Sequence, residues 1–182
     1  MPDAIGFMEF SSIAKGMEAA DAALKAADVR LAFARPCCPG KYTVLFGGEV
    51  AAVKSALEAG LETGGSAAVD SCLIPRVHPQ VLSAVFDANE ADVDGALGVM
   101  EFYSVTAAIF AADAAVKAAE VQCAQLRLAA GIGGKSFVCL TGQVAAVTHA
   151  VECGVGTREA EGMVLSHVVI AGPRREILDS LL

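Results

Sequence analysis

Residues 4–29 read AIGFMEFSSIAKGMEAADAALKAADV, and residues 96–121 read ALGVMEFYSVTAAIFAADAAVKAAEV. The two stretches align without a gap, and about half of their positions are identical, far more than shared composition produces. One loop then shifts the register by two residues: PCCPGK, ending at Lys41, answers to LAAGIGGK, ending at Lys135. After it, GEVAAVKSALEAG from Gly48 answers to GQVAAVTHAVECG from Gly142. The chain is an internal duplication. Its insertion is confined to a loop, so the elements around that loop are the same in both halves.

The periodicities give the elements of one half. Ile5 to Phe10 is a short apolar strand. Ser11 and Ser12 can cap a helix, along which Ile13, Met17, Ala20, Leu24 and Ala27 recur at helical spacing. Val29, Leu31 and Phe33 alternate with Arg30 and Ala32, as a strand requires. Pro36-Cys37-Cys38-Pro39-Gly40 reads as a loop. Tyr42 to Phe46 is a second strand, Glu49 to Ala59 a helix ended by Gly60, and Val69 to Ile74 a last strand. Pro75 to Pro79 turns the chain into a short helix, and Asp87 to Asp94 is an acidic connector. The second half repeats this order and ends at Val164 to Ile170 and Pro173 to Leu182. Strand–helix–strand–strand–helix–strand is a ferredoxin-like α+β arrangement, one sheet with helices on one face. The expected organisation is two tandem domains, 1–86 and 95–182, joined by residues 87–94.

Composition narrows the function. More than half of the 182 residues are hydrophobic, yet aromatics are scarce and Trp is absent. The core is therefore built from Ala, Val, Leu and Ile, which suit thin elements and flat surfaces buried against neighbouring subunits. A net charge of −8 and a pI near 4.8 argue against a nucleic-acid partner. Charge or glycine breaks every apolar run before the ~18 residues that a membrane span needs. The N-terminal residues show no signal peptide, so a reducing cytosol is expected and disulfides are not. The six cysteines, at 37, 38, 72, 123, 139 and 153, include no C-x-x-C spacing.

The combined pattern resembles the bacterial microcompartment shell domain. It comprises Glu9, Ala19-Ala20-Asp21, Lys25, Ala27, Val29, a loop ending in Gly40-Lys41, Gly48-Glu49-Val50-Ala52-Val53 and Ile74-Pro75-Arg76-His78. The second half supplies Glu101, Ala111-Ala112-Asp113, Lys117, Ala119, Val121 and Gly142-Gln143-Val144. The order is the unpermuted one, and nearly the whole chain is covered. Two such domains in one chain resemble the tandem-domain shell proteins, which form homotrimers that mimic the hexamers of single-domain members and tile into sheets with other shell proteins. A head-to-tail interface that closes gives a ring, and three such chains place six domains around one axis. The resemblance implies a place in the shell of a cytoplasmic compartment and makes Lys25, Lys117 and Arg76 shell-edge residues. The second half departs from the pattern: Ile170-Ala171-Gly172-Pro173 stands where the edge arginine is expected.

The resemblance also turns two loops toward a central pore. One carries Cys38, Pro39 and Gly40; the other carries Gly131, Ile132, Gly133 and Gly134. One cysteine cannot hold an iron–sulfur cluster, which normally takes four thiolates. Three copies around an axis supply three, leaving one iron to a non-protein ligand. Cys38-Pro39-Gly40-Lys41 is similar to the I-C-P-G-K context in which tandem shell proteins of propanediol-utilisation compartments bind a [4Fe–4S] cluster. The implied cofactor is one [4Fe–4S] cluster per trimer on Cys38, serving electron transfer across the shell, with enclosed redox enzymes as partners, or cluster delivery. Cys37 departs from that context and stands as a spare ligand, a redox partner or a small apolar residue. A trigonal zinc site on Cys38 is a weaker rival.

The remaining candidates read as structure. Cys72, Cys123, Cys139 and Cys153 fall on strands or an apolar helix and are expected to be small buried hydrophobes. Gly131-Ile132-Gly133-Gly134-Lys135 lacks the spacing of a phosphate loop and leads into a strand. His78 is expected at a turn or edge, and nothing in the sequence pairs His149 or His167 with a nucleophile. Asp21 and Asp113 recur in both halves, which points to shared structure. With no acid–base or nucleophile set, no enzyme is expected. Two rival functions remain: a cluster-free shell pore for small metabolites, and a soluble ferredoxin-like, metal-binding regulatory trimer outside any shell.

Overall fold

The computed structural model describes residues 3–85 and 95–178. The expected connector at 87–94 and residues 179–182 lie outside these residues. The chain divides into two compact units, Met1–Val77 and His78–Leu182.

The first unit runs β1 (Ala4–Phe10), α1 (Ile13–Ala26), β2 (Arg30–Cys37), β3 (Lys41–Gly48), α2 (Val50–Gly64) and β4 (Ala68–Pro75). Its strands form one antiparallel sheet in the order β2-β3-β1-β4. This is the expected ferredoxin-like α+β arrangement. The Ser12 hydroxyl accepts a hydrogen bond from the Lys15 amide and caps α1, a contact worth about 1 kcal/mol. Met8, Phe10, Tyr42, Val44 and Phe46 meet Ala19, Ala20, Ala23, Val53, Ala56 and Leu57 in the core. Small residues bring the helices close: a Cβ on Gly60 of α2 would fall 2.7 Å from Met8 Sδ and 3.2 Å from the Ala19 carbonyl oxygen of α1.

Two boundaries differ from the sequence reading. Pro36 and Cys37 belong to β2, paired with Tyr42 and Lys41, and are not part of a loop. β2 is an edge strand, so the missing Pro36 N–H can face outward at no cost to the ladder. Helix α2 passes through Gly60 and ends at Gly64, because Gly60 is buried at the helix contact and does not cap.

The second unit opens with α3 (Pro79–Val85), then repeats the pattern as β5 (Ala96–Phe102), α4 (Val105–Ala118), β6 (Gln122–Leu128), β7 (Ser136–Gly142), α5 (Val144–Val155) and β8 (Val164–Ala171). A final turn of helix, α6, spans Arg175–Leu178. The sheet order β6-β7-β5-β8 is that of the first unit. Ser104 caps α4 as Ser12 caps α1. Helix α3, counted with the first half on sequence, packs against β6 and α4. Gln80 fastens it there. Its Nε2 donates to the Val121 carbonyl and its Oε1 accepts from the Cys123 amide, so one side chain takes the place of a strand neighbour along the β6 edge.

Candidate functional site

Cys38 sits at the top of the β2–β3 hairpin. Because Cys37 pairs with Lys41, only Cys38, Pro39 and Gly40 remain in the turn. The Gly40 amide donates to the Cys37 carbonyl at 2.9 Å, and Gly40 takes φ +85, which a three-residue hairpin turn needs from its last residue. Cys37 and Cys38 are both half-exposed. Among the described residues the Cys38 thiol has no hydrogen-bond partner.

The two thiols differ in environment. Burial pushes the Cys37 thiol above its ordinary range, and the Glu9 carboxylate adds to the effect; a hydrogen bond with Thr43 and the Lys41 ammonium act against it. The thiolate is the metal ligand, and this environment disfavours the thiolate of Cys37. On the same edge, the Arg35 guanidinium stacks over the Phe33 ring at 4.4 Å.

An ion pair fixes the base of each loop. Glu9 is almost fully buried on β1, and its carboxylate meets Lys41 Nζ at 2.9 Å. In the second unit Glu101 pairs with Lys135. The sequence reading noted all four residues but did not join them. The signal was there: both members recur in both halves. The second loop is longer, from Ala129 to Lys135, and the Ala129 amide closes it onto the Lys135 carbonyl at 3.1 Å. Ala129, Gly131, Gly133 and Gly134 all have positive φ, which explains the glycine-rich sequence. Ile132 is the apolar residue of this loop and is half-exposed.

The expected edge residues occupy distinct settings. Lys25 pairs with Asp21 at 2.5 Å on an exposed helix face. Lys117 makes the same pair with Asp113, but Asp113 is buried and also accepts the His78 amide at 2.7 Å. The recurrent aspartates thus orient the recurrent lysines, and Asp113 additionally ties down the start of the second unit. His78 lies in the short link between β4 and α3. Arg76 is exposed at φ +51, and its amide donates to the Asp3 carbonyl at 2.6 Å. Gly172 holds the matching place in the second unit, with φ +58 and a 2.9 Å bond to the Gly95 carbonyl. The backbone turn survives the loss of the arginine motif.

Three of the four structural cysteines are buried as expected. Burial pushes the Cys123 and Cys139 thiols to about 12, with the neighbouring Cys139 adding to the shift at Cys123. Cys72 is buried on β4. Cys153 departs from the expectation. It is half-exposed on α5, one turn from His149, with Sγ 3.7 Å from Nε2. The reading that nothing pairs His149 with a nucleophile is corrected here: helical i, i+4 spacing brings the two side chains together. Among the described residues no three His, Cys, Asp or Glu side chains gather into a metal site within one chain.

A loop-bearing ferredoxin-like unit, built twice with matching ion pairs, defines a class of protein. The BMC domain model matches residues 4–77 and 96–173, and the chain belongs to that family, the shell proteins of bacterial microcompartments. Among named relatives, the bacterial microcompartment shell protein PduT of Citrobacter freundii is 41% identical over 97% of this chain and 96% of its own. The carboxysome shell protein CsoS1C of Halothiobacillus neapolitanus is 40% identical over 48% of this chain and 93% of its own, the length of a single domain. The crystal structure of a microcompartment protein from Desulfitobacterium hafniense superposes with a TM-score of 0.91 at 46% identity, covering 97% of this chain and 98% of that one. The chain is therefore a structural protein of a microcompartment shell in the bacterial cytoplasm.

Proposed function

We propose that three copies of this chain close into a ring of six domains, and that its central pore holds one [4Fe–4S] cluster on three Cys38 thiolates. One observation carries the reading: Cys38 stands half-exposed at the tip of a three-residue turn whose base is pinned by Glu9 and Lys41. A short pinned turn loses little entropy when it becomes a ligand. The donor set fits the group on one condition. Cys38 is the thiol at the tip of the turn, whereas Cys37 is paired within β2, so one chain falls short of the four ligands of a cluster and threefold convergence is required. When bound, the cluster supplies one-electron chemistry. The protein supplies the thiolate, the pinned turn and a shell wall that separates two aqueous spaces. The proposed role is passage of electrons across the shell to serve enclosed redox enzymes, and no catalytic role is assigned to the chain itself. The Gly131–Gly134 loop forms the other three segments of the pore rim, and Lys25, Lys117 and Arg76 meet neighbouring rings of this and other shell proteins.

Anaerobic purification tests the reading. The expected result is a brown trimer with an iron–sulfur absorbance band and an EPR signal on reduction. Cys38→Ala should abolish iron binding, while Cys37→Ala should retain it. A wild-type protein that stays colourless after reconstitution with iron and sulfide refutes the cluster and leaves a pore for small metabolites. Two-dimensional sheets in electron micrographs, lost on Lys25→Ala, test the edge assignment.

A further inference from the structure

Equivalent positions of the two halves differ sharply in burial. Within the second unit, α3 docks on β6 and α4. Gln80 bonds the Val121 carbonyl and the Cys123 amide there, and Val81 is 0% exposed. The receiving positions of the first unit are open. Leu31 on β2 and Met17 and Leu24 on α1 are exposed apolar residues, Met17 at 52%. Their counterparts Cys123, Ile109 and Val116 are all buried, Ile109 at 0%. The last strands show the converse. Cys72 and Ile74 of β4 are buried, but Val168 and Ile170 of β8 are exposed. Helix α6 follows β8 as α3 follows β4, with Glu176 in the place of Gln80 and Ile177 in the place of Val81. Ile177 is 52% exposed, while Leu178 beside it is buried against Leu97, Ala124 and Cys139 of its own unit. The chain therefore carries an open receiving face on its first unit and an exposed docking edge on its second.

We propose that these surfaces are the two halves of one interface: the β8–α6 edge of one copy docks on the α1–β2 face of a second, repeating between chains the contact that α3 makes within one. The occupant is a second copy because the chain itself carries the match of each face. Ile177 and the apolar residues of α1 and β2 leave water together, which drives the association. The Glu176 carboxylate accepts from the Leu31 amide, as Gln80 Oε1 accepts from the Cys123 amide. The two halves are unlike, so the interface is heterologous and closes only as a ring. The contact stands on the burial pattern, and its closure at three chains rests on the ring proposed above.

Sedimentation velocity of the full-length, iron-free protein over a dilution series tests the contact without the cluster. Ile177→Asp and Met17→Asp each place a charge in one half of it, at positions exposed in the single chain, so both variants should keep the wild-type circular dichroism spectrum. The wild type is expected as a trimer. Each variant should fall to a monomer, with association weakened about 10- to 100-fold per interface. Mixed in equal amounts at high concentration, the two variants should form a heterodimer and nothing larger, because each keeps the half that the other lacks. A trimer that survives in both variants, or variants that stay monomeric when mixed, overturns the contact while the ring stands. Wild-type chains that grow into open head-to-tail oligomers, broken by both substitutions, overturn the ring and uphold the contact. A wild type that is monomeric at every concentration overturns both.

Discussion

Arg76→Gly should make the protein more stable while removing the arginine proposed to lie at the shell edge. Arg76 holds φ +51, where a Cβ crowds the neighbouring carbonyl, at a cost of about 1–2 kcal/mol. Glycine relieves that cost but adds backbone freedom to the unfolded chain, worth about 0.5–1 kcal/mol. The side chain is exposed, so its removal costs no packing. The amide bond to Asp3 is a backbone bond and persists. The net gain is about 0.5–1 kcal/mol, or a rise in Tm of roughly 1–4 °C for a chain of this size. Gly172 shows that the same turn accepts glycine, with nearly the same φ and the equivalent hydrogen bond. The assay is thermal unfolding at one fixed concentration, below that at which sheets form, because assembly itself adds stability. Electron microscopy of the concentrated protein should show fewer or no sheets. A lower Tm for Arg76→Gly would refute the reasoning, since it would mean that the left-handed turn costs arginine less than the added freedom of glycine in the unfolded chain.

Other expectations follow from residues that differ between the halves. A Cβ on Gly16 would lie 2.6 Å from Tyr42 Cβ, whereas the second half has Ala108 facing Ser136. Gly16→Ala should therefore destabilise by about 1–3 kcal/mol, and adding Tyr42→Ser should recover part of it as a positive coupling in a double-mutant cycle followed by urea denaturation. Asp113→Ala strips the His78 amide and Lys117 of a buried acceptor and should cost about 1–3 kcal/mol. Asp21→Ala, at an exposed pair, should cost less than about 0.5 kcal/mol. The alkaline limb of stability should steepen through the buried thiols. Cys123 has its pKa raised from 9.0 to about 12 in the fold, so the unfolded chain releases that proton first and stability falls as pH rises from 9 toward 12. Cys123→Ala should flatten the pH-dependence of unfolding by up to about 1.4 kcal/mol per pH unit in that window, and an unchanged slope would argue against burial of the thiol.

Much of the fold was legible because the duplication reports it twice. Ser12 and Ser104, the alternating strand residues and the helix periodicities recur in register, and recurrence separates structure from accident. The errors arose where a local rule met a tertiary exception. Pro36 signalled a loop, but an edge strand tolerates it. Gly60 signalled a helix end, but it is the point where two helices meet. The candidate site was partly legible. Cys38 stood out by its C-P-G-K context, but the sequence left the role of Cys37 open. The fold places Cys37 in β2 opposite Lys41 and near the carboxylate of Glu9, some thirty residues away in sequence.

By itself the sequence determined the duplication, the order of elements, the shell-domain family and the two places where the halves diverge, the hairpin loop and the arginine motif. Periodicity and repeated motifs are local properties, so they survive in one dimension. The tertiary structure decided what local spacing cannot express. It paired Glu9 with Lys41 and Glu101 with Lys135, gave Asp113 two partners where Asp21 has one, and fastened α3 to β6 through Gln80. Each depends on which faces are buried and which chain segments the sheet brings side by side, and burial is a property of the folded chain alone.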